Sequence, residues 1–189
     1  MKIVIVDNGS RYLSQLKDLL AKHHMTVWPW NRANVSDLEK FDLIILSGGH
    51  KYAVLNHRKV YKKEIEVIRN SSIPIIGICL GSELIAWVFG AKLMRLKTPE
   101  HGLIAIRRSP GADLPLLRNF KVYESHHWAI RQLSKSLKGL AKSKDGYEIF
   151  KHKARPIYGL QFHPEIVAPK SSGKIIFNRI LKTLTLAKN

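Results

Sequence analysis

The stretch IPIIGICLGSELIAWVFG, residues 73–90, decides the fold class of this chain. It opens on a short apolar run, IPIIGI (73–78), which is the type of strand that parallel sheets bury on both faces. A tight G-x-C-x-G turn follows, and SELIAWVFG (82–90) predicts a helix that Gly90 stops. A strand that runs through a tight turn into a helix indicates an α/β architecture.

The rest of the first half alternates in the same way. Further strands are predicted at KIVIV (2–6), MTVWPW (25–30) and FDLIILSGG (41–49), and helices at RYLSQLKDLLAKH (11–23) and KVYKKEIEVIRN (59–70). The second half favours strands, at GLIAIRR (102–108), FKVYES (120–125), YEIFKH (147–152) and PIYGLQF (156–162), before a final helix at SGKIIFNRILKTLTLAK (172–188). We therefore expect one α/β domain over residues 1–189, with a central, mostly parallel sheet flanked by helices and a small mixed or antiparallel extension.

The chain carries a large positive charge, because its 32 Lys and Arg exceed its 14 Asp and Glu by 18. These basic residues are spread along the whole chain, mostly at what we interpret as the polar positions of helical patterns, KSLKGLAKSK (135–144) among them. There is no basic run interleaved with aromatic residues. Solvated helix faces are therefore the preferred interpretation, and nucleic-acid binding is unlikely on this pattern.

A single cysteine among 189 residues excludes an internal disulfide framework and favours a reducing compartment. The opening MKIVIVDNGS lacks the long apolar stretch of a signal peptide, and no apolar run approaches the length of a membrane span. We therefore expect a cytoplasmic protein without a membrane partner.

Cys79 lies in the predicted turn between strand and helix. This arrangement matches the elbow that presents a nucleophile, since a side chain at Gly77 or Gly81 would collide with the neighbouring strand and helix. The partial positive charge at the start of the helix is expected to favour the thiolate. The other interpretation is a small buried structural cysteine, and the turn alone does not decide between them.

A nucleophilic cysteine needs a base, and the base needs a group that orients it. YGLQFHPE (158–165) supplies both, because His163 follows a buried strand and Glu165 comes two residues later. We expect Pro164 to keep the backbone extended, so that both side chains project to the same side. His163 and Glu165 are the predicted base and orienting acid.

Acyl chemistry at a cysteine also produces an oxyanion, which backbone N–H groups stabilise. The N–H of Leu80, directly after the nucleophile, is one candidate donor. The glycine pair in LIILSGGH (43–50) supplies a second, for which we choose Gly49. By itself this glycine pair is also consistent with an ordinary turn after a strand.

These segments resemble, in order and spacing, the motifs of class I glutamine amidotransferase domains: G-I-C-L-G, the S-G-G loop before it and G-L-Q-F-H-P-E near the end. The resemblance spans essentially the whole chain and implies a flavodoxin-like fold. It implies a catalytic triad of Cys79, His163 and Glu165 with an oxyanion hole at Gly49 and Leu80. The implied reaction is hydrolysis of glutamine through a γ-glutamyl thioester.

Three further segments, DNGSRY (7–12), EHG (100–102) and VYESH (122–126), resemble the branch of this family that forms the glutaminase subunits of GMP synthases. We place Ser125 and His126 of the last segment at the substrate site. The resemblance implies that ammonia passes to a separate synthetase of the ATP pyrophosphatase type, which adenylylates XMP with ATP and aminates it.

The chain departs from the family pattern in two places. The motif after the cysteine is usually C-L-G-H-Q, and here it is C-L-G-S-E, so Glu83 replaces a glutamine that helps to hold the substrate. Glu83 either lines the pocket, which we prefer, or turns outward in the first turn of the helix. The branch continues S-H-x-D-E-V, whereas this chain has SHHWAI, which leaves Trp128 either as a core residue or as an exposed anchor for another partner.

These departures keep two alternatives open: hydrolysis of another γ-glutamyl substrate, and a non-catalytic role in binding a partner or nucleic acid. We assign no metal to the adjacent pairs His23–His24 and His126–His127, because neighbouring residues rarely ligate one ion. We expect no cofactor in this chain, since it lacks a phosphate-binding G-x-x-x-x-G-K-[ST] loop. ATP and Mg²⁺ are expected on the partner synthetase.

Overall fold

The computed structural model describes residues 1–186. Within that range the strands are β1 Lys2–Asp7, β2 His24–Pro29, β3 Leu43–Leu46, β4 Ile75–Ile78, β5 Lys92–Arg108, β6 Asn119–Gln132, β7 Leu137–Lys142, β8 Tyr147–His152 and β9 Ile157–Leu160. The α-helices are α1 Leu13–Leu19, α2 Val35–Leu38, α3 Lys62–Asn70, α4 Leu80–Val88 and α5 Gly173–Leu186, and a 3-10 turn covers Trp30–Arg32. The last two residues predicted as helix, 187 and 188, lie outside the described part.

The strands form one sheet in the order β2-β1-β3-β4-β9-β8-β7-β5-β6. The first five strands in this order pair in parallel, and every pairing from β9 to β6 is antiparallel. The mostly parallel sheet with an antiparallel extension is therefore confirmed. Strand β9 is the seam, since it pairs in parallel with β4 and antiparallel with β8.

Helices cover both faces of the parallel part, because its strands carry apolar side chains at every position. Ile3 and Ile5 of β1 share one core with residues of α1 and α5, whereas Val4 and Val6 share the other core with residues of α3 and α4. In α5 the apolar residues recur at helical spacing, which directs Ile176, Phe177, Ile180, Leu181 and Leu184 into the first core. None of the helices within residues 1–186 is long and apolar enough to span a membrane.

Two predictions about elements were wrong. The segment 135–144 contains strand β7, because Leu140 and Ala141 are buried and the chain pairs with β8. A register shift between Gly139 and Ala141 interrupts the alternation of side chains along β7, so its apolar residues imitate helical spacing. The predicted helix over 11–23 is also shorter, since it ends at Leu19.

Strands β5 and β6 are much longer than the predicted segments 102–108 and 120–125, and they pair with one another along most of their length. Polar residues at their exposed positions obscured these extensions in the sequence. The extra residues matter for the site, because Arg95 and Trp128 face each other across this pair beside the pocket described below.

Candidate active site

Cys79 lies at the sharp corner between β4 and α4. Its backbone has φ 49° and ψ −108°, a conformation that non-glycine residues rarely adopt and that is typical of a nucleophile elbow. The helix begins at Leu80 and not near Ser82 as predicted. A Cβ on Gly77 would lie 2.5 Å from the Gly81 carbonyl oxygen, so the predicted crowding at the elbow is confirmed.

The Cys79 thiol is protonated at rest. Burial raises its pKa well above the ordinary value, and the negative charges of Glu83, Glu124 and Glu165 raise it further. A hydrogen bond from the Leu80 backbone acts in the opposite direction but is the smaller effect. The expectation that the start of α4 favours the thiolate is therefore wrong for the resting site, where Sγ donates a hydrogen bond to a backbone carbonyl at 3.8 Å, that of Ser125.

His163 and Glu165 form the predicted contact, with His163 Nδ1 2.8 Å from Glu165 Oε1. Both residues are buried. The backbone between them is a turn and not the extended segment that we predicted, since the Ile166 N–H donates to the His163 carbonyl at 3.2 Å. Because Nδ1 is held by the carboxylate, Nε2 is left for proton transfer. Tyr12 packs edge-on against the imidazole, with 4.8 Å between ring centroids, and fixes its plane.

The glycine loop after β3 lies directly against these groups. A Cβ placed on Gly48 would lie 3.1 Å from His163 Cε1 and 3.6 Å from Cys79 Cβ, so this glycine separates the base from the nucleophile. A Cβ on Gly49 would collide with the Asn8 carbonyl oxygen. Only a glycine therefore fits at either point, and both contacts hold the loop in place.

Gly49 and Leu80 line one pocket together with Cys79 and His163, so the structure brings the two predicted oxyanion donors to the nucleophile. The Gly49 N–H has no acceptor among residues 1–186. An amide without a partner at the mouth of a polar pocket is available to a substrate oxygen.

A buried network braces this loop from behind. The Asn8 side chain donates to the Ser47 carbonyl at 3.2 Å and to Glu64 Oε1 at 3.1 Å, while Ser47 Oγ accepts from the Asn8 N–H at 2.9 Å. Burial raises the pKa of Glu64 to about 8, although the Asn8 hydrogen bond lowers it in part. Glu64 is therefore mostly protonated at neutral pH, which removes the cost of burying its charge.

The pocket has a volume of about 490 Å³. Glu83 lines it and is 4% exposed, so the pocket position predicted for this residue is the one observed. Its Oε1 accepts a hydrogen bond from Gln161 Nε2 at 3.1 Å. Burial raises the pKa of Glu83 to about 7, against the lowering effects of Gln161, His126 and His163. Glu83 thus changes charge close to neutral pH in contact with the reacting groups.

The two other predicted substrate residues differ in what they present. Ser125 contributes its carbonyl oxygen, as the acceptor of the thiol. His126 also borders the pocket, but its Nε2 is engaged behind the wall with Glu124 at 3.2 Å and Glu100 at 3.5 Å. Trp128 is half-buried and lines the pocket, so it is neither a core residue nor a fully exposed anchor.

Several contributors to the site were missed in the sequence. Gln161 stands inside the quoted G-L-Q-F-H-P-E motif, so the motif itself carried a signal for it. Gly48, Tyr12 and the pair Asn8 and Glu64 belong to segments in which other residues drew the interpretation. No local pattern marks Glu64, which lies 56 residues from Asn8 along the chain.

Comparison with known proteins adds a second line of information. The family model described as Glutamine amidotransferase class-I matches residues 4–183. The chain is 32% identical over 185 residues to the glutamine-hydrolyzing subunit of GMP synthase from Methanocaldococcus jannaschii, and the match covers 93% of this chain and 94% of that protein. It is 34% identical over 184 residues to the protein of the same name from Pyrococcus abyssi, covering 93% and 95%.

Solved structures agree on the fold. A crystal structure from Thermoplasma acidophilum, described as that of a GMP synthase subunit, superposes with a TM-score of 0.87 at 28% identity, covering all of this chain and 96% of the other. A glutamine amidotransferase from Thermotoga maritima superposes with a TM-score of 0.71 at 19% identity, covering 99% and 83%, and supports the fold alone.

Proposed function

The chain belongs to the class I glutamine amidotransferase family, and we propose that it hydrolyses the side-chain amide of glutamine through a γ-glutamyl thioester on Cys79. One observation carries this proposal: Cys79 at a strained elbow shares a pocket with the His163–Glu165 pair and with the N–H groups of Gly49 and Leu80. These are the nucleophile, base, orienting acid and oxyanion donors of acyl transfer.

The reaction begins with a proton transfer. Because the Cys79 thiol is protonated at rest, it must give its proton to His163 Nε2 before the sulfur attacks. For this the thiol turns from the Ser125 carbonyl towards the imidazole. Glu165 holds the opposite ring nitrogen and stabilises the imidazolium that forms.

The thiolate then attacks the amide carbon, and the N–H groups of Gly49 and Leu80 bind the oxyanion. The C–N bond breaks as the His163 imidazolium donates its proton to the leaving ammonia, which leaves the γ-glutamyl thioester. His163 next removes a proton from water, and the resulting attack releases glutamate and restores the thiol. Side-chain and backbone groups of this chain, with water, are sufficient for these steps.

We further infer that the ammonia serves a separate ATP-dependent synthetase that aminates XMP to GMP. This part is supported by the relatives named as glutamine-hydrolyzing subunits of GMP synthases, whose lengths this chain nearly covers. Proteins named as one subunit of a synthase act with another chain, and we place ATP and Mg²⁺ there. The same similarity favours a cytoplasmic protein.

Glu83 favours one second candidate, which is hydrolysis of a different γ-glutamyl compound. A buried carboxylate beside Cys79 accepts hydrogen bonds from an ammonium or an amide, and when ionised it repels a nearby carboxylate. A substrate with an uncharged or cationic group at this point would suit it better than one with an anion. The elbow chemistry would be unchanged.

The test is covalent trapping with 6-diazo-5-oxo-norleucine, a glutamine-shaped electrophile, followed by intact mass measurement. We expect a single adduct on the wild-type protein and none on Cys79→Ala. An adduct on Glu83→Gln alone would move the assignment to the second candidate. No adduct on either protein would contradict a glutamine-shaped site.

The partner is tested separately. Ammonia release from glutamine is measured with and without the synthetase chain of a GMP synthase, together with formation of GMP from XMP. A rise in glutaminase activity on mixing, with GMP formed from glutamine, is expected. Trapping without any response to the synthetase would retain the hydrolysis and reject this acceptor.

A further inference from the structure

A second cluster of ionisable groups lies behind the pocket wall. Three buried carboxylates surround one buried imidazole, with Glu100 on β5, Glu124 and His126 on β6, and Glu148 on β8. His126 Nε2 lies between two of them, 3.2 Å from Glu124 Oε2 and 3.5 Å from Glu100 Oε2. One donor atom each from Glu100, His126 and Glu148 lie within 4.8 Å of one another.

Glu148 supplies an independent observation. Its side chain is 1% exposed, and its Oε1 accepts a hydrogen bond from Ser143 Oγ at 2.6 Å. Its Oε2 is buried without a hydrogen-bond donor among residues 1–186, although the carboxyl group is directed at His126 and Glu100. A buried oxygen that faces other acceptors requires a proton or a cation between them.

The charge balance accommodates either. Nearby carboxylates raise the pKa of His126 to about 11 against the effect of burial, and burial with the Glu124 charge raises the pKa of Glu148. Without metal, the cluster thus holds an imidazolium and a neutral Glu148 beside two carboxylates. Replacing those two protons by one divalent cation leaves the buried charge unchanged and releases two protons to solvent.

We propose that Glu100, Glu124, His126 and Glu148 form a binding site for one divalent first-row transition-metal ion. Carboxylate oxygens with one imidazole nitrogen form a donor set that suits Mn²⁺, Fe²⁺ or Zn²⁺ better than Ca²⁺. Ser143 orients one ligand through its hydrogen bond, as outer partners of metal ligands do. The expectation of no metal concerned adjacent histidines, and His127 is exposed and takes no part here.

An entry path exists at the turn that covers the cluster. Lys144 Nζ lies 4.0 Å from Glu100 Oε1 and its side chain is 78% exposed, so an ion displaces a mobile ammonium and not a packed core residue. The ion would join β5, β6 and β8 directly behind Ser125, whose carbonyl receives the thiol. Its role is to fix this wall of the pocket, and it does not contact the reacting atoms.

The test uses Mn²⁺ and the full-length protein. Free Mn²⁺ gives a six-line electron paramagnetic resonance signal that is lost on binding, so titration counts bound ions without any activity measurement. Mn²⁺ also avoids the confusion that a thiol-seeking ion such as Zn²⁺ would cause at Cys79. We expect one tight site per wild-type chain, an affinity that increases with pH, and a rise in Tm on saturation.

Glu148→Gln keeps the shape and the Ser143 contact but removes the charge, and we expect at least a tenfold loss of Mn²⁺ affinity. Glu64→Gln is the matched control, because Glu64 is also a buried carboxyl of raised pKa but lies outside the cluster. Glu124→Gln provides a second variant if Glu148→Gln does not fold. Absence of Mn²⁺ binding by folded wild type, or equal binding by both cluster variants, would overturn the proposal. Either result is independent of whether Cys79 is trapped by the glutamine analogue.

Discussion

Gln161 and Glu83 are joined inside the pocket by a hydrogen bond of 3.1 Å, which fixes a titratable carboxyl beside the nucleophile. The position lies one helical turn after Cys79, since the Glu83 N–H donates to the Cys79 carbonyl at 2.9 Å. A carboxylate held at that distance acts on the sulfur through its charge. Glu83 therefore controls how readily the thiol ionises.

Glu83→Gln is expected to make Cys79 more reactive. Removing the negative charge lowers the pKa of the thiol, because Glu83 is one of the groups that raise it. A decrease of half to one pKa unit would increase alkylation by iodoacetamide about three- to tenfold at a pH below that pKa. The rate is measured from pH 6 to 10 by intact mass. Glu66→Gln, an exposed control, should leave the profile unchanged, and identical profiles for all three proteins would contradict the prediction.

Glu165→Gln is expected to reduce kcat for glutamine hydrolysis by about 10²- to 10⁴-fold with little change in KM. An amide in place of the carboxylate accepts the Nδ1–H poorly and no longer stabilises the imidazolium. Steady-state kinetics with the activating partner measure both constants. A rise in KM alone would instead place Glu165 in substrate binding.

Gly48→Ala is expected to reduce activity more than stability. The new methyl group would lie 3.1 Å from His163 Cε1, so the ring must move away from Cys79 by a few tenths of an ångström or more. Such a misplacement costs up to about 10²-fold in kcat. Gly111→Ala is the control, because its φ of 68° penalises alanine by about 1 kcal/mol at a point where no described atom lies within 4 Å. The prediction fails if both variants lose kcat in proportion to Tm.

Glu64→Gln is expected to change how stability depends on pH. The pKa of Glu64 is about 8 in the folded protein against 4.5 for a free side chain. Because the folded pKa is the higher one, the stabilisation is complete below pH 4.5 and is lost as pH rises to about 8. Within this window the wild type loses about 1.4 kcal/mol per pH unit relative to the variant. Urea unfolding from pH 5 to 9 measures the difference, and a constant difference would contradict the buried proton.

The sequence predicted the chemistry of the site better than its surroundings. The positions of Cys79, His163 and Glu165 follow from local rules, since each comes shortly after a buried parallel strand whose carboxyl end faces one edge of the sheet. The pocket position of Glu83 followed from its distance to the cysteine along the helix. These residues could be placed without knowledge of distant contacts.

The remainder depends on pairings that no local pattern reveals. The resting contact of the thiol requires strand β6 to cross behind the elbow, and the protonated state of Cys79 depends on carboxylates from three separate segments. Strand β7 was missed because an irregularity in its pairing made a strand imitate a helix. Long-range pairing and burial, and not propensity, decided these features.

The seam at β9 divides the protein into parts with different evolutionary freedom. The nucleophile and the base follow adjacent parallel strands in fixed register, Gly77 beside Gly159 and Ile78 beside Leu160, so the hydrogen-bond lattice of the sheet sets their separation. The wall formed by Ser125 and the strands beyond the seam belongs to the antiparallel half. Natural variation there can alter what the protein admits while the reactive groups keep their spacing, which is how one hydrolytic machine serves unrelated acceptors.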